Sequence, residues 1–226
     1  MKKKSILTIL LTLVLCFALT SCGGNKAVDN ALNGKTFYCN GGSVNSTCMI
    51  TFQDGKADLL KQFSDGNGVH DSVTDSASYK ADEENITISW NEIDEMVIPY
   101  TLDGENIKLG NGEFKTLDQV KKGIQGIWKY RSYSFGTHEH NLKVTGDKMV
   151  YQKASESALD AYDYFWYGPY NCTYTIEGCK IVLAGDDTET FMIKINDDNK
   201  VRIMHYTHEF YKTKNFPDDP ENDYNF

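Results

Sequence analysis

Residues 174–206 read "YTIEGCKIVLAGDDTETFMIKINDDNKVRIMHY". Three short runs in it, "CKIVLA", "TFMIKI" and "KVRIMHY", are rich in β-branched and aromatic residues. Turn residues punctuate them, notably Glu177-Gly178 and Asp197-Asp198. Short apolar runs closed by turn residues are strands joined by hairpins. A turn at Glu177-Gly178 sets Ile176 opposite Cys179 and Cys172 opposite Leu183. Upstream, "CMITF", "NITISW", "MVIPYTL", "NIKLG", "LKVTG", "KMVYQ" and "CTYTI" have the same texture, with turns at Asp54-Gly55, Asp103-Gly104 and Gly146-Asp147. Strands recurring every 8–12 residues or so predict an all-β chain, folded as a sandwich or barrel.

The pattern occurs twice. "LNGKTFY" (32–38) parallels "IQGIWKY" (124–130), and "ITFQDGKA" (50–57) parallels "LKVTGDKM" (142–149). "YKADEENITI" (79–88) lies over "YTIEGCKIVL" (174–183), and "YTLDGENIKL" (100–109) over "IKINDDNKVRI" (193–203). "EFKT" (113–116) matches "EFYKT" (209–213). Shared order and near-constant spacing predict two antiparallel β repeats, 32–116 and 124–213. Between them, 117–123 reads as a short helix: Thr116 is the N-cap, Gln119 completes a capping box, and Gly123 ends it. "ASESALDAYDYFWYG" (154–168) reads as a second helical or loop segment. The acidic, proline-bearing tail at 214–226 reads as poorly ordered.

Three lysines open the chain, followed by an apolar run and small residues. That is the anatomy of a secretory signal over residues 1–21. Its apolar core, Ile6–Leu19, falls short of the roughly 20 residues a membrane span needs. The signal ends in Leu19-Thr20-Ser21-Cys22, which resembles the lipobox of bacterial envelope lipoproteins. The resemblance implies a diacylglycerol on the Cys22 thiol, cleavage before it, and a further acyl chain, of the palmitate class, on the freed amine. It also implies a lipid-anchored protein of the cell envelope, at the outer membrane. More than one acyl chain is what durable anchoring requires. Residues 22–31 then read as a lipidated, flexible tether.

Losing residues 1–21 removes three lysines and no acid, which leaves 20 basic against 32 acidic residues and a formal charge of −12. So acidic a chain lacks the basic face that nucleic acid demands, and lipid rather than charge must hold it to a membrane. Four other mature cysteines remain: Cys39, Cys48, Cys172 and Cys179. The envelope permits disulfides. Cys39 and Cys48 flank the turn-rich "NGGSVNST" and are placed to bridge the base of a hairpin. Free buried thiols are the alternative for all four.

Strands opened by Gly126-Ile127-Trp128 resemble the lipocalin-like domains of envelope lipoproteins; the first copy has Gly34-Lys35-Thr36 instead. Each copy is too short for a deep lipocalin cavity. The resemblance implies a non-enzymatic binding protein for a small molecule, glycan or protein. The alternatives are a structural or protein-interaction module without a pocket, and a metal-assisted hydrolase.

Acyl-serine, Walker A, dinucleotide and HExxH patterns are absent, and no cofactor motif is present. In "DAYDYFWYGPY" (160–170), Tyr162, Tyr164, Trp166, Tyr167 and Tyr170 are candidate ligand contacts, because aromatics with polar tips give contact area at low entropy cost. His138 and His140 share a strand face, and a barrel closing its last strand on its first would bring His205 towards them. Those three are weak metal candidates beside exposed polar positions. His205 and His208 fall on opposite faces if one strand carries both. "SDGNGVHDSVTDS" (64–76) carries calcium-type oxygen ligands, but reads better as a solvated hairpin loop.

Overall fold

The structure, a computed structural model, describes residues 25–90, 95–132, 138–156 and 164–216. It is all-β, with two antiparallel sheets joined by a short helix. The first repeat runs α1 (Lys26–Leu32), β1 (Lys35–Asn40), β2 (Ser46–Gln53), β3 (Lys56–Asp65), β4 (Gly68–Ala81), β5 (Asn85–Ser89), β6 (Glu95–Asp103), β7 (Asn106–Leu109) and β8 (Lys115–Thr116). Next come α2 (Leu117–Ile124), β9 (Gly126–Ser132), β10 (His138–Thr145), β11 (Lys148–Glu156) and β12 (Tyr164–Glu177). The chain finishes with β13 (Lys180–Gly185), β14 (Thr190–Ile195), β15 (Val201–His205), β16 (His208–Glu209) and β17 (Tyr211–Thr213). Each repeat opens with a helix, and the strands of the first have counterparts in the second, which adds one, β16. Lys26–Leu32, read from sequence within a flexible tether, is that helix in the first repeat, with Val28, Ala31 and Leu32 buried.

The first sheet orders β7-β6-β5-β4-β3-β2-β1-β8 and curls into a half-barrel. The second orders β16-β15-β14-β13-β12-β11-β10-β9-β17 and is a near-closed barrel. Its closure comes from one terminal segment. β16 pairs with β15, β17 pairs with β9, and only Phe210 separates them. One strand thereby covers both free edges, which is how antiparallel folds avoid exposed ladders.

By contacts the chain forms two compact units. One comprises the described residues to Lys35, Phe52–Ala57 and Ser76–Gly110; the other comprises Thr36–Thr51, Asp58–Asp75 and the chain from Asn111. In the first, Phe52 meets Tyr79 edge-on at 5.2 Å, and Ile86, Ile88, Ile98 and Leu109 are buried. In the second, inward residues alternate along each barrel strand, as period two requires. Trp128, Leu142, Tyr151, Ile181, Phe191, Ile193, Ile203 and Phe210 fill the interior and are essentially inaccessible. β14 is buried on both faces. Part of its outward cover is the β1–β2 loop and the start of β2, in the same unit: Thr47 Oγ1 donates to the Ile193 carbonyl at 2.7 Å, and Lys194 Nζ donates to the Val44 carbonyl.

Helix α2 packs at one barrel end, contributing Val120 and Ile124 to the core. Its predicted capping box is formed by Thr116 and Gln119. Gly123 does not end the helix, which continues through Ile124. The glycine is there for space: a Cβ would lie 2.6 Å from both Cβ and Cγ2 of Val201. Alanine in a helix ordinarily gains about 1 kcal/mol over glycine. Overpacking against a rigid β-branched neighbour costs roughly 1–3 kcal/mol or more. Gly123→Ala is therefore expected to destabilise, seen as a lower urea midpoint at unchanged m-value. A raised midpoint would mean that helix and barrel yield without strain.

Two expected features of the second repeat differ. The turn after β12 is shifted by one residue: Glu177 pairs with Lys180, Ile176 with Ile181 and Cys172 with Gly185, so Gly178-Cys179 makes the turn. Gln62 explains the shift, because its Oε1 accepts the Cys179 N–H at 2.7 Å. The stretch 154–168 is not helix or loop where described, since β11 runs to Glu156 and β12 starts at Tyr164.

Candidate functional site

Register brings a set of polar side chains to the barrel end opposite α2. β10 starts there with His140 between Tyr130 of β9 and Lys153 of β11. Tyr151 pairs with Tyr170 across β11 and β12. The β13–β14 connection supplies Asp187 and Glu189, and β15 ends there at His205. His208 sits directly opposite His205, on the same face, because Tyr206 takes a left-handed conformation (φ 51°) and the chain reverses. The continuous strand expected over 205–208 is a two-residue hairpin instead.

These side chains form a connected network. His140 Nδ1 and the Tyr151 hydroxyl are 2.7 Å apart. His205 Nε2 meets Glu189 Oε1 at 2.9 Å. Lys153 Nζ is 3.2 Å from Asp187 Oδ2 and 3.5 Å from Glu189 Oε2, and lies over the Tyr151 and Tyr170 rings. The His140 and His205 rings are 4.9 Å apart, and Tyr130 stacks on His208 at 4.5 Å. Phe191 and Phe210 form the floor.

The electrostatics follow from burial over an aromatic floor. Burial pushes His140 down to about 3, aided by nearby His205, so its imidazole is neutral at physiological pH. Burial also raises the Tyr151 hydroxyl, with Glu189 and Asp187 adding to it. The hydrogen bond from His205, outweighing burial, holds Glu189 below its usual range. For Lys153 burial opposes the charge, but Asp187 and Glu189 prevail and its pKa is raised. A neutral imidazole, a phenol, a cation and carboxylates thus share one end of a dry barrel. Such a set presents both donors and acceptors to a bound molecule.

Among the expected contacts, Tyr170 belongs to this network. Tyr167, opposite Lys153, is 48 % exposed. A bulge separates the Tyr151 and Lys153 pairings, setting Gly168 and Pro169 together against Gln152. Gly168 has φ 97°, and a Cβ there would meet the Tyr151 carbonyl oxygen at 2.8 Å. Tyr164 and Trp166 lie on β12. Tyr162 and Cys22 lie outside the described residues.

Of the weak metal candidates, His140 and His205 come together, with His138 on the same strand face as His140. Among the described residues no group of three His, Cys, Asp or Glu is arranged to hold a metal ion. In the 64–76 stretch, Asp65 accepts the Asn67 N–H, and Asp71 is engaged by Gln62. Cys39, Cys48, Cys172 and Cys179 are all buried thiols.

Sequence reasoning missed Lys153, Asp187 and Glu189, and with them Tyr130 and Tyr151. The first was within reach: a hairpin turned at Gly146-Asp147 pairs Thr145 with Lys148 and hence His140 with Lys153. Asp187 and Glu189 sit in a stretch, "GDDTET", that reads as a solvated turn. Among the described residues no helix is long and apolar enough to cross a membrane. Compared with family models, curated proteins and solved structures, the chain matches none.

Proposed function

We propose that this chain is an envelope lipoprotein, held to the outer membrane by lipid on Cys22, that binds a small molecule, glycan or protein without catalysing a reaction. The anchor rests on the Leu19-Thr20-Ser21-Cys22 pattern at the end of a signal. The binding role rests on one observation: Tyr170, Lys153, His140, His205 and Glu189 converge at one barrel end. Because the interior beneath them is filled, the ligand sits at the mouth rather than deep inside.

The filled interior also favours a second reading, a protein-interaction module with no small ligand. Native mass spectrometry of the mature chain from its own host separates the two. A retained small ligand that disappears in Lys153→Met and Tyr170→Ala variants supports mouth binding. A bare mass, with a protein partner recovered by crosslinking at those positions, supports the module.

The anchor has an independent test. Cys22→Ala is expected to abolish labelling by a fatty-acid probe and to release the chain from the membrane fraction. Labelling that persists in that variant overturns the assignment.

A further inference from the structure

We propose that Cys39 and Cys48 form the chain's disulfide under oxidising conditions, with Cys172 and Cys179 remaining thiols. Its formation in the cell rests on the envelope location proposed above. β1 and β2 are neighbours in the first sheet. Thr36 Oγ1 lies 2.9 Å from Thr51 Oγ1, and the Gly41 N–H donates to the Ser46 carbonyl at 3.3 Å. Both contacts fit a single antiparallel register that sets Cys39 opposite Cys48. Directly opposed residues have Cα atoms about 4.5–5.5 Å apart, inside the span a disulfide bridges. Both thiols are buried.

The other pairings are worse. Cys172 pairs with Gly185, at the far end of β13 from the Gly178-Cys179 turn. Five strand residues of about 3.3 Å each separate them, well beyond the roughly 7 Å limit. Cys172 instead donates to the Asp187 carbonyl at 3.7 Å. Cys179 is the nearest competitor, but Gln62 holds its backbone and its thiol donates to the Thr47 carbonyl at 3.8 Å.

The bond would tie β1 to β2 at the base of the segment 40–47, which holds their connecting loop. That segment donates from Asn40 Nδ2 to Asp197 at 2.6 Å and from Thr47 to Ile193. It forms one wall of a cavity of about 560 Å³ that includes Asn40, Ser43, Val44, Lys194 and Asn196. Fixing the ends removes freedom from the unfolded chain and holds that wall in place.

The chemistry balances by thiol–disulfide exchange. The Cys48 thiolate attacks a sulfur of an oxidant disulfide, either a thiol–disulfide oxidoreductase or a small-molecule disulfide, and releases one thiol. The Cys39 thiolate then attacks the Cys48 sulfur and releases the second. Two electrons go to the oxidant, and its two thiolates take up the two protons. The order suits the pair: the hydrogen bond from Cys39, with Lys61 behind it, lowers the Cys48 thiol despite burial, and the same bond raises Cys39.

The test refolds the reduced mature chain with oxidised glutathione, alkylates it in denaturant and maps the peptides. The expected result is one peptide holding Cys39 and Cys48 in an internal bond, an intact mass about 2 Da below the four-thiol form, and alkylated Cys172 and Cys179. Cys39→Ser should refold with three alkylated cysteines and a thermal midpoint several degrees lower. Four free thiols after refolding, or a bond to Cys172 or Cys179 in the unsubstituted chain, overturns the pairing. The same map on protein from the host envelope tests the compartment separately. A bond formed in vitro but absent there supports the pairing and overturns the envelope location.

Discussion

Replacing Trp128 with alanine is expected to cost the protein about 3–5 kcal/mol, the range for deleting a fully buried large aromatic. The side chain has no solvent exposure and lies within the second-unit core. Its indole also donates to the Ile124 carbonyl at 2.7 Å, tying the end of α2 to the first barrel strand. Lys212 covers the ring, its ammonium 4.8 Å from the centroid. Trp128→Phe keeps most of the apolar contact but leaves the Ile124 carbonyl without its indole donor. That variant should lose less, about 1–3 kcal/mol, the cost of orphaning a buried polar group. Thr36 stands at the matching place in the first repeat, half-buried, with a hydroxyl contact to Thr51. Thr36→Ala should cost about 1 kcal/mol or less. Urea unfolding of the three variants checks the order. Equal losses for Trp128→Ala and Thr36→Ala would show that the two repeats do not differ here in the way their packing says.

That asymmetry marks the limit of what the sequence discloses. The strands, the repeat and the capping box at Thr116 follow from local chemistry: β-branched runs, turn pairs, and a hydroxyl three residues before a glutamine. None needs a distant partner to be read. What escaped depends on partners far along the chain. The Gly178-Cys179 turn is set by Gln62, more than a hundred residues away. Gly123 looks like a helix stop until Val201 is known to press on it. Tyr206 has no turn propensity to announce a reversal, so His205 and His208 read as one strand. The metal-candidate residues His140 and His205 were visible. The carboxylate on His205 was not, because Glu189 reaches it only through the pairing of β13 with β14. The site was therefore half legible: its histidines and Tyr170 from residue type, its charges only from register.

Those charges make acid the strongest solution probe of the site. His140 is held near 3 in the folded chain, chiefly by burial, against an ordinary 6.5. A base whose folded pKa is depressed binds its proton more readily when unfolded. Its contribution to stability is thus complete above pH 6.5 and is lost progressively as pH falls from there towards 3. A gap of that size corresponds to roughly 3–5 kcal/mol. The groups facing His140 are Tyr151, Tyr130, Lys153, His205, Glu189 and His138. Glu189 also weakens the fold on acidification, since its folded pKa is lowered, but its loss lies below the ordinary carboxylate range of 4.5. Of the two, only His140 acts between pH 6.5 and 4.5, and both act below 4.5. Urea unfolding from pH 7.5 to 3 should show stability falling steadily below 6.5 in the unsubstituted chain, and more steeply below 4.5. His140→Phe, which keeps the ring contacts with Tyr151 and Phe210 but cannot titrate, should flatten that slope while leaving the fall below 4.5. Glu189→Gln should keep the slope between 6.5 and 4.5 and lessen the fall below 4.5. An unchanged slope in His140→Phe would mean that acid enters the structure elsewhere and that the imidazole is not sealed in the barrel mouth. Ligand affinity at the mouth would then have no reason to track the protonation of this residue.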